Sequence, residues 1–281
     1  VLCLLIFSST EIKAQENSTR KPLPPKYVPD LRIDNMGYWR QLVEYGLVTV
    51  QPAKKAPLPL LKSTLISTPG IATYDSPDIP VTDNNSLQSE NSVFTDPSDA
   101  SFIVNSNNSH PAPYVGTQFG ADALQSADGG QSWEGTVQGV GGYNFGDPAT
   151  AINLQGRMFI GTIFSGGGQG IAYSDDRGTT WKKKAVAPSP GGLGSILDKN
   201  HLWVDNSPDS PYEGNLYDGW TVFGSDDGSG HLQVSRSLDN GMAWQNPKTI
   251  SDNVAAGSHN QGINIHTGPL GEVYAVWAVY D

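Results

Sequence analysis

Cysteine is all but missing from this chain: Cys3 is the single one in 281 residues. A disulfide framework is therefore excluded, and no thiol site is left beyond the N-terminal apolar run that holds Cys3. Basic residues are sparse too, 17 Lys and Arg against 28 Asp and Glu, for a formal net charge of −11. Nucleic acid is not expected as a partner, because phosphate neutralisation takes clustered Lys and Arg. No stretch comes near the roughly 18 apolar residues of a membrane-spanning helix. The five histidines, His110, His201, His231, His259 and His266, follow no H-x-x-x-H or H-E-x-x-H spacing, so no metal is expected. Asp226-Asp227-Gly228-Ser229-Gly230 lacks the alternating ligands of a calcium loop and reads as a turn. Ser165-Gly166-Gly167-Gly168 precedes a strand pattern rather than a helix, which removes the phosphate cradle; no cofactor is expected.

What the chain has in abundance is turn formers. Gly 32 and Pro 20, with only 16% charged residues, suit many short strands joined by turns. The first residues, Val1-Leu2-Cys3-Leu4-Leu5-Ile6-Phe7, are apolar and give way to Ser8-Ser9-Thr10 and Ala14-Gln15. Residues 1–15 read as the remnant of a secretory signal peptide, which places the protein outside the cytoplasm, secreted or at the cell surface. Residues 16–86 form a Pro-rich N-terminal extension with too few apolar side chains for a core of its own. Within it, Asn35 to Tyr45 predicts one short helix, capped by Asn35 and stopped at Gly46. Thr68 to Ser89 reads as a linker.

From there the sequence repeats itself. Ser126-Ala127-Asp128-Gly129-Gly130-Gln131-Ser132-Trp133, Ser174-Asp175-Asp176-Arg177-Gly178-Thr179-Thr180-Trp181 and Ser237-Leu238-Asp239-Asn240-Gly241-Met242-Ala243-Trp244 all fit S-x-D-x-G-x-(S/T/A)-W. Their Asp positions lie 176 − 128 = 48 and 239 − 176 = 63 residues apart. Such periods mark a repeat architecture in which each unit is a small sheet that cannot bury its own faces. Gly130, Gly178 and Gly241 supply the positive φ of a tight turn. Asp128, Asp176 and Asp239, with Ser126, Ser174 and Ser237, can bond main-chain groups that the turn leaves unpaired. Trp133, Trp181 and Trp244 carry apolar surface back toward the sheets and are expected to be buried between them.

These octets resemble the Asp-box, or BNR repeat, of the sialidase superfamily, over roughly residues 87–281. The resemblance implies an all-β fold, a β-propeller of four-stranded antiparallel blades, with each octet between third and fourth strands on the face away from the active site. Strands near 92–95, 101–107, 121–126 and 132–138 form a first blade; 149–154, 157–164, 170–174 and 180–187 a second; 202–206, 215–223, 231–237 and 243–250 a third. A fourth has 262–266 and 272–280. About three and a half blades do not close a ring and six are expected in the whole, so the chain reads as part of a longer protein.

In a propeller, the segments leading into the innermost strands line the mouth of the central channel. Ser89-Glu90-Asn91-Ser92, Phe145-Gly146-Asp147-Pro148, Lys199-Asn200-His201-Leu202 and His259-Asn260-Gln261-Gly262 are those segments here. They nominate Glu90, Asp147 and His201 as catalytic candidates and His259, Asn260 and Gln261 as binding candidates. Asp-Pro and Asn-rich steps are also ordinary turn formers. The resemblance implies a sialidase-type glycoside hydrolase, in which three arginines clamp a sugar carboxylate while Tyr, Glu and Asp carry the chemistry. Of the arginines here, Arg157 and Arg177 fall on the octet side, Arg236 lies in a third strand, and Arg20, Arg32 and Arg40 precede the repeats. The family's F/Y-R-I-P motif is absent, with Leu31-Arg32-Ile33-Asp34 only an echo. Three classes of function remain for a secreted propeller that acts on or binds glycans or glycoproteins at the channel mouth: a sialidase-type exo-glycosidase, a non-catalytic glycan- or protein-binding propeller, and a surface scaffold of a larger secreted protein.

Overall fold

The structure, a computed structural model, describes residues 78–83, 87–110, 120–137, 139–140, 142, 144–164, 166–191, 195–224, 230–251 and 259–280. The signal remnant, the expected helix over 35–45 and most of the linker lie outside these residues. All regular structure among the described residues is antiparallel β.

The first sheet holds β1 (Leu87–Asp96), β2 (Asp99–His110), β3 (Gly120–Ala121), β4 (Ala123–Ser126) and β5 (Glu134–Thr136). Its order is β1-β2-β4-β5, with β3 also paired to β2, so the third strand is broken at Asp122. The second runs β6 (Ala149–Ile152), β7 (Met158–Ile163), β8 (Gln169–Ser174) and β9 (Lys182–Ala187). The third runs β10 (Ile196–Val204), β11 (Leu216–Phe223), β12 (His231–Ser237) and β13 (Lys248–Thr249). A fourth pairs β14 (His259–Thr267) with β15 (Val273–Tyr280). The innermost strands stand side by side, β1 against β6, β6 against β10 and β10 against β14.

Between the sheets lie apolar layers, because no single four-stranded sheet can cover both its faces. Phe102, Val104, Ile152, Met158 and Ile160 join the first sheet to the second. Phe159, Ile171, Leu202, Leu216 and Trp220 join the second to the third. Tyr217, Leu232, Ile263 and Ile265 join the third to the fourth. Trp220, Phe159, Leu202 and Ile265 are fully enclosed, and each such side chain contributes about 1.5–3 kcal/mol.

The octets form the β4–β5, β8–β9 and β12–β13 turns. In each, the Ser hydroxyl donates to the Asp carboxylate and accepts the fifth-position Gly N–H, at 2.8 Å for Gly130 and 2.9 Å for Gly178 and Gly241. The Asp then accepts the N–H of the seventh residue, Ser132, Thr180 or Ala243. Two successive residues take positive φ: Gly129 and Gly130, Arg177 and Gly178, Asn240 and Gly241. That pair of signs is the one a tight hairpin demands of its central residues. The tryptophans depart from expectation: all three are half-buried rather than enclosed. Trp181 and Trp244 pack on the rims of the inter-sheet layers. The Trp133 and Trp244 indoles turn back to donate Nε1–H to Gly130 and Gly241 carbonyls, which keeps that edge at the turn.

Several strand boundaries also differ from expectation. β1 and β10 begin upstream of the apolar runs, at Leu87 and Ile196, so Leu87 to Ser89 belong to a strand and not to a linker. Main-chain pairing joins Leu87 to His110 and Ser89 to Asn108, and pairing leaves no mark on hydropathy. The outer strands β5 and β13 are shorter than expected for the same reason reversed: their side chains are exposed and nothing packs them.

Candidate functional site

Each innermost strand carries the same irregularity near its start. In β1 the register slips between Ser89 and Ser92, in β10 between Asp198 and His201, and in β14 between Gln261 and Asn264, so two residues oppose one on the neighbour. The first residue of each such pair has positive φ: Glu90 (54°), Lys199 (55°) and Gly262 (73°). Asp147 (56°) holds that position just before β6, between the Gly146–Ile163 main-chain bond and the Ala149–Gly161 pair. A bulge of this type re-aims a side chain without ending the ladder. Glycine occupies such a conformation at no steric cost, whereas other residues lose roughly 1–2 kcal/mol. Glu90, Asp147 and Lys199 therefore hold the position for what their side chains do.

Those side chains meet. Lys199 Nζ lies 2.5 Å from Glu90 Oε1. Asp147 Oδ2 accepts the Lys199 backbone N–H at 3.0 Å. Asn108, on β2, donates from Nδ2 to Glu90 Oε2 at 3.0 Å and to Asp147 Oδ1 at 3.3 Å, while its Oδ1 accepts the Asp147 N–H at 2.7 Å. The approach of Asn108 requires glycine next door, since a Cβ on Gly146 would collide with the Asn108 amide. One residue from each of three successive sheets is thus tied into a single polar cluster, at the strand ends opposite the octets.

The electrostatics divide the two carboxyls. Burial, reinforced by the hydrogen bond and charge of Asp147, pushes Glu90 from 4.5 up to about 8, against the pull of Lys199. Burial also works against ionised Asp147, but hydrogen bonds from Glu90 and Asp198, with the charge and N–H of Lys199, hold it down to about 2. Asp198, buried one residue before Lys199, is raised well above 3.8 by burial and by the Asp147 charge. Lys199 stays charged, its ammonium favoured by Asp147 and Glu90 against the cost of burial. At neutral pH Asp147 is therefore the carboxylate beside the Lys199 ammonium, and Glu90 keeps its proton. Among the described residues no group of His, Cys, Asp and Glu is arranged to hold a metal.

The other nominated residues lie elsewhere. His201 Nδ1 accepts the Ile265 N–H at 3.1 Å, and its ring sits with Trp203 and His266 in the seam toward the fourth sheet. Burial, then the neighbouring His266, lowers it to about 4. Asn260 is buried and fully engaged: Nδ2 donates to the Gly230 carbonyl at 2.8 Å and Oδ1 accepts the Trp277 indole N–H at 3.0 Å. Gln261 precedes the bulge in β14, and of His259 only the backbone, paired with Tyr280, is described. The segment 225–229, read above as a turn, lies outside the described residues. Lys199, Asn108 and Asp198 were not nominated from sequence. Lys199 stood within a quoted segment, but the register that equates it with Glu90 and Asp147 is visible only once the strands are paired.

All three described arginines sit on the octet side or are held there. Arg157 Nε donates to Asp175 at 2.6 Å and its guanidinium lies over Tyr173; Arg177 pairs with Asp99 at 3.0 Å; Arg236 donates to Gln245 at 2.7 Å.

No protein-family model matches the chain, and no curated protein matches it in sequence. Among solved structures it resembles the α-L-arabinofuranosidase of Fusarium graminearum in complex with an iminosugar inhibitor, at TM-score 0.50 and 14% identity, over 72% of this chain and 59% of that one. The fold is a β-propeller. The chain is also similar to an α-L-arabinanase of Penicillium chrysogenum complexed with arabinobiose, at TM-score 0.48 and 14% identity, over 71% of this chain and 60% of that one. A Hadza microbial sialidase follows at TM-score 0.39 and 17% identity, over 63% of this chain and 40% of that one. At such identities the likeness is one of propeller architecture, and this chain spans less than two thirds of each of those proteins. No helix among the described residues is long and apolar enough to cross a membrane.

Proposed function

We propose that this chain is part of a secreted propeller that acts on glycans at its channel mouth, with Glu90 as the proton donor. The observation that carries the reading is the split between Glu90, raised to about 8, and Asp147, lowered to about 2, at one bulge position. Two carboxyls driven apart in this way are how a site keeps one proton to give while holding a charge beside it. Asp147 acts here as a positioning residue. Its carboxylate is bridged to the Glu90 carboxyl by the one Asn108 Nδ2, at 3.3 and 3.0 Å, so the two sit on the same side of the site, whereas glycoside hydrolysis sets its two carboxyls on either side of the scissile bond. The group that attacks the sugar, or activates water to do so, therefore comes from another part of the ring. The Asp-box resemblance and the glycosidase neighbours agree with this reading. A sialidase-type clamp has less support, because the described arginines are committed on the other side.

A non-catalytic glycan-binding propeller is the second reading. It is favoured by how completely Asn108, Asp147 and Lys199 satisfy one another, as a purely structural clasp would. The full-length protein assayed on a panel of fluorogenic glycosides separates the two. Turnover that falls at least about a hundredfold in Glu90→Gln, with fold retained, supports the enzyme. Glycan binding without turnover in the native protein supports the second reading and sinks the first.

A further inference from the structure

Two successive seams between sheets are finished differently on the octet side. In the second octet the fourth position is Arg177, whose guanidinium reaches Asp99 at the start of β2 at 3.0 Å and lies over the Phe102 ring. In the third octet the same position is Asn240, with the same backbone, φ 57° against 53°, but a side chain too short to repeat that bridge. Asn240 instead bonds the turn between β6 and β7. Its Oδ1 accepts from Asn153 Nδ2 at 3.2 Å, and its carbonyl accepts from the Arg157 guanidinium at 3.0 Å. Beside it a cleft of about 140 Å³ stays open, lined by Gln155, Glu213, Gly214, Leu238 and Asn240.

The walls of this cleft are held before anything binds. Asn153, buried, accepts the N–H groups of Gln155 and Arg157 at 3.1 and 2.8 Å, which fixes the β6–β7 turn. Asp205, also buried, accepts the Ser210 hydroxyl at 2.6 Å and, on its carbonyl, the Gly214 N–H at 2.8 Å, which fixes the loop between β10 and β11. Gln155 Nε2 donates to Glu213 Oε1 at 3.0 Å and ties the two walls together. Glu213 Oε2, Gln155 Oε1 and Asn240 Nδ2 have no hydrogen-bond partner among the described residues, which leaves two acceptors and one donor on residues that line the cleft. Leu238 gives it an apolar side and is 55% exposed. Tyr212, next to Glu213, is half exposed, and its ring rests on Gly271, where a Cβ would come within 2.6 Å.

The volume is several times the ~30 Å³ share of one water and well below the ~300 Å³ at which drug-sized pockets begin, so it suits a single small ring. A sugar residue has hydroxyls that both donate and accept, and C–H faces that suit apolar groups such as Leu238 and Tyr212. An anion would face the Glu213 carboxylate, and a cationic side chain would meet the Asn240 N–H beside it. A neutral sugar meets neither obstacle.

We propose that this octet-side cleft is a second glycan-binding site, which takes one neutral sugar residue of an oligosaccharide and works independently of the channel mouth at the opposite strand ends. The test is titration of the full-length protein, followed by NMR or calorimetry, with neutral arabino-, galacto- and xylo-oligosaccharides and with a lysine-rich peptide. A single ring of about twelve non-hydrogen atoms sets the expected Kd at about 1 mM. Glu213→Ala should weaken oligosaccharide binding at least about tenfold. Asn240→Arg, which installs the residue that the second octet carries there, should do the same by filling the cleft. Glu90→Gln at the mouth should leave this binding unchanged. Glu213 is exposed and Arg177 shows that arginine is accommodated at this octet position, so both variants should fold, with retained melting temperatures as the check. Oligosaccharide binding that survives both octet-side variants, or a protein that binds the peptide and none of the sugars, would overturn the proposal. Affinity lost in Glu90→Gln and kept in the octet-side variants would overturn it too, while supporting the reading of the mouth.

Discussion

Replacing Glu90 by Gln should make the protein less sensitive to alkali while leaving it nearly as stable in mild acid. Native Glu90 titrates near 8 instead of 4.5, so the folded state holds a proton that the unfolded chain releases. A carboxyl raised in this way gives stability that is complete below 4.5 and is lost as pH climbs through 8. At about 1.4 kcal/mol per pH unit, the displacement from 4.5 to 8 sets a ceiling of about 5 kcal/mol. Asp147 does not alter this slope: held at about 2 instead of 3.8, it adds about 2.5 kcal/mol that is already complete above 3.8 and constant through the same window. Because the two share one proton, and Glu90 is partly open to water, the loss belonging to Glu90 alone should be about 2–3 kcal/mol. Gln at this position copies the protonated acid and cannot ionise. Unfolding free energies from urea titration at pH 5 should therefore differ by less than about 1 kcal/mol, and at pH 9 the variant should be the more stable protein by about 2 kcal/mol. Native and variant profiles that run parallel from pH 5 to 9 would refute the reasoning.

Two further outcomes are expected. A Cβ on Gly161 would lie 2.7 Å from Asn200 Nδ2 and 3.3 Å from Leu202 Cβ, across the seam between second and third sheets; Gly161→Ala should cost about 1–3 kcal/mol by denaturant midpoint. Asp218 is wholly enclosed on β11 and its carboxyl is raised well above 3.8 by burial, eased only by nearby Asn200, so it too loses stability as pH rises; Asp218→Asn should flatten the fall in melting temperature above pH 5, and an unchanged slope would contradict the assignment.

The octets made the fold legible. Ser174, Asp176, Gly178 and Trp181 interact within eight residues, so a local pattern could report a local structure. The site could be read only in part. Glu90 and Asp147 were found because the segments leading into inner strands can be guessed from strand order. Lys199 and Asn108 were missed because each meets Asp147 from a distant strand, Asn108 from β2 and Lys199 from the two-for-one slip in β10, and no periodicity records either. His201 misled in the opposite way: it has the residue type of a catalyst, but alternation along β10 turns it toward Ile265. The half-burial of the tryptophans was hidden too, since a bonded indole edge and an enclosed one look alike in sequence.

The bulge shared by the innermost strands separates what holds the ring from what the ring does. At Glu90, Asp147, Lys199 and Gly262 the main chain is already committed to the same conformation, whichever residue stands there. An acid, a second acid, a base and a bare backbone occupy four equivalent stations of one scaffold. Exchanging them for Gly, Asn or Asp, residues that tolerate this backbone, would re-specify charge at the mouth one sheet at a time with the ladders untouched. Val or Ile would not serve, since branching at Cβ opposes the required φ. A small library at these four positions is thus a direct route to altered ligand preference in this propeller, and the sheets themselves need no redesign.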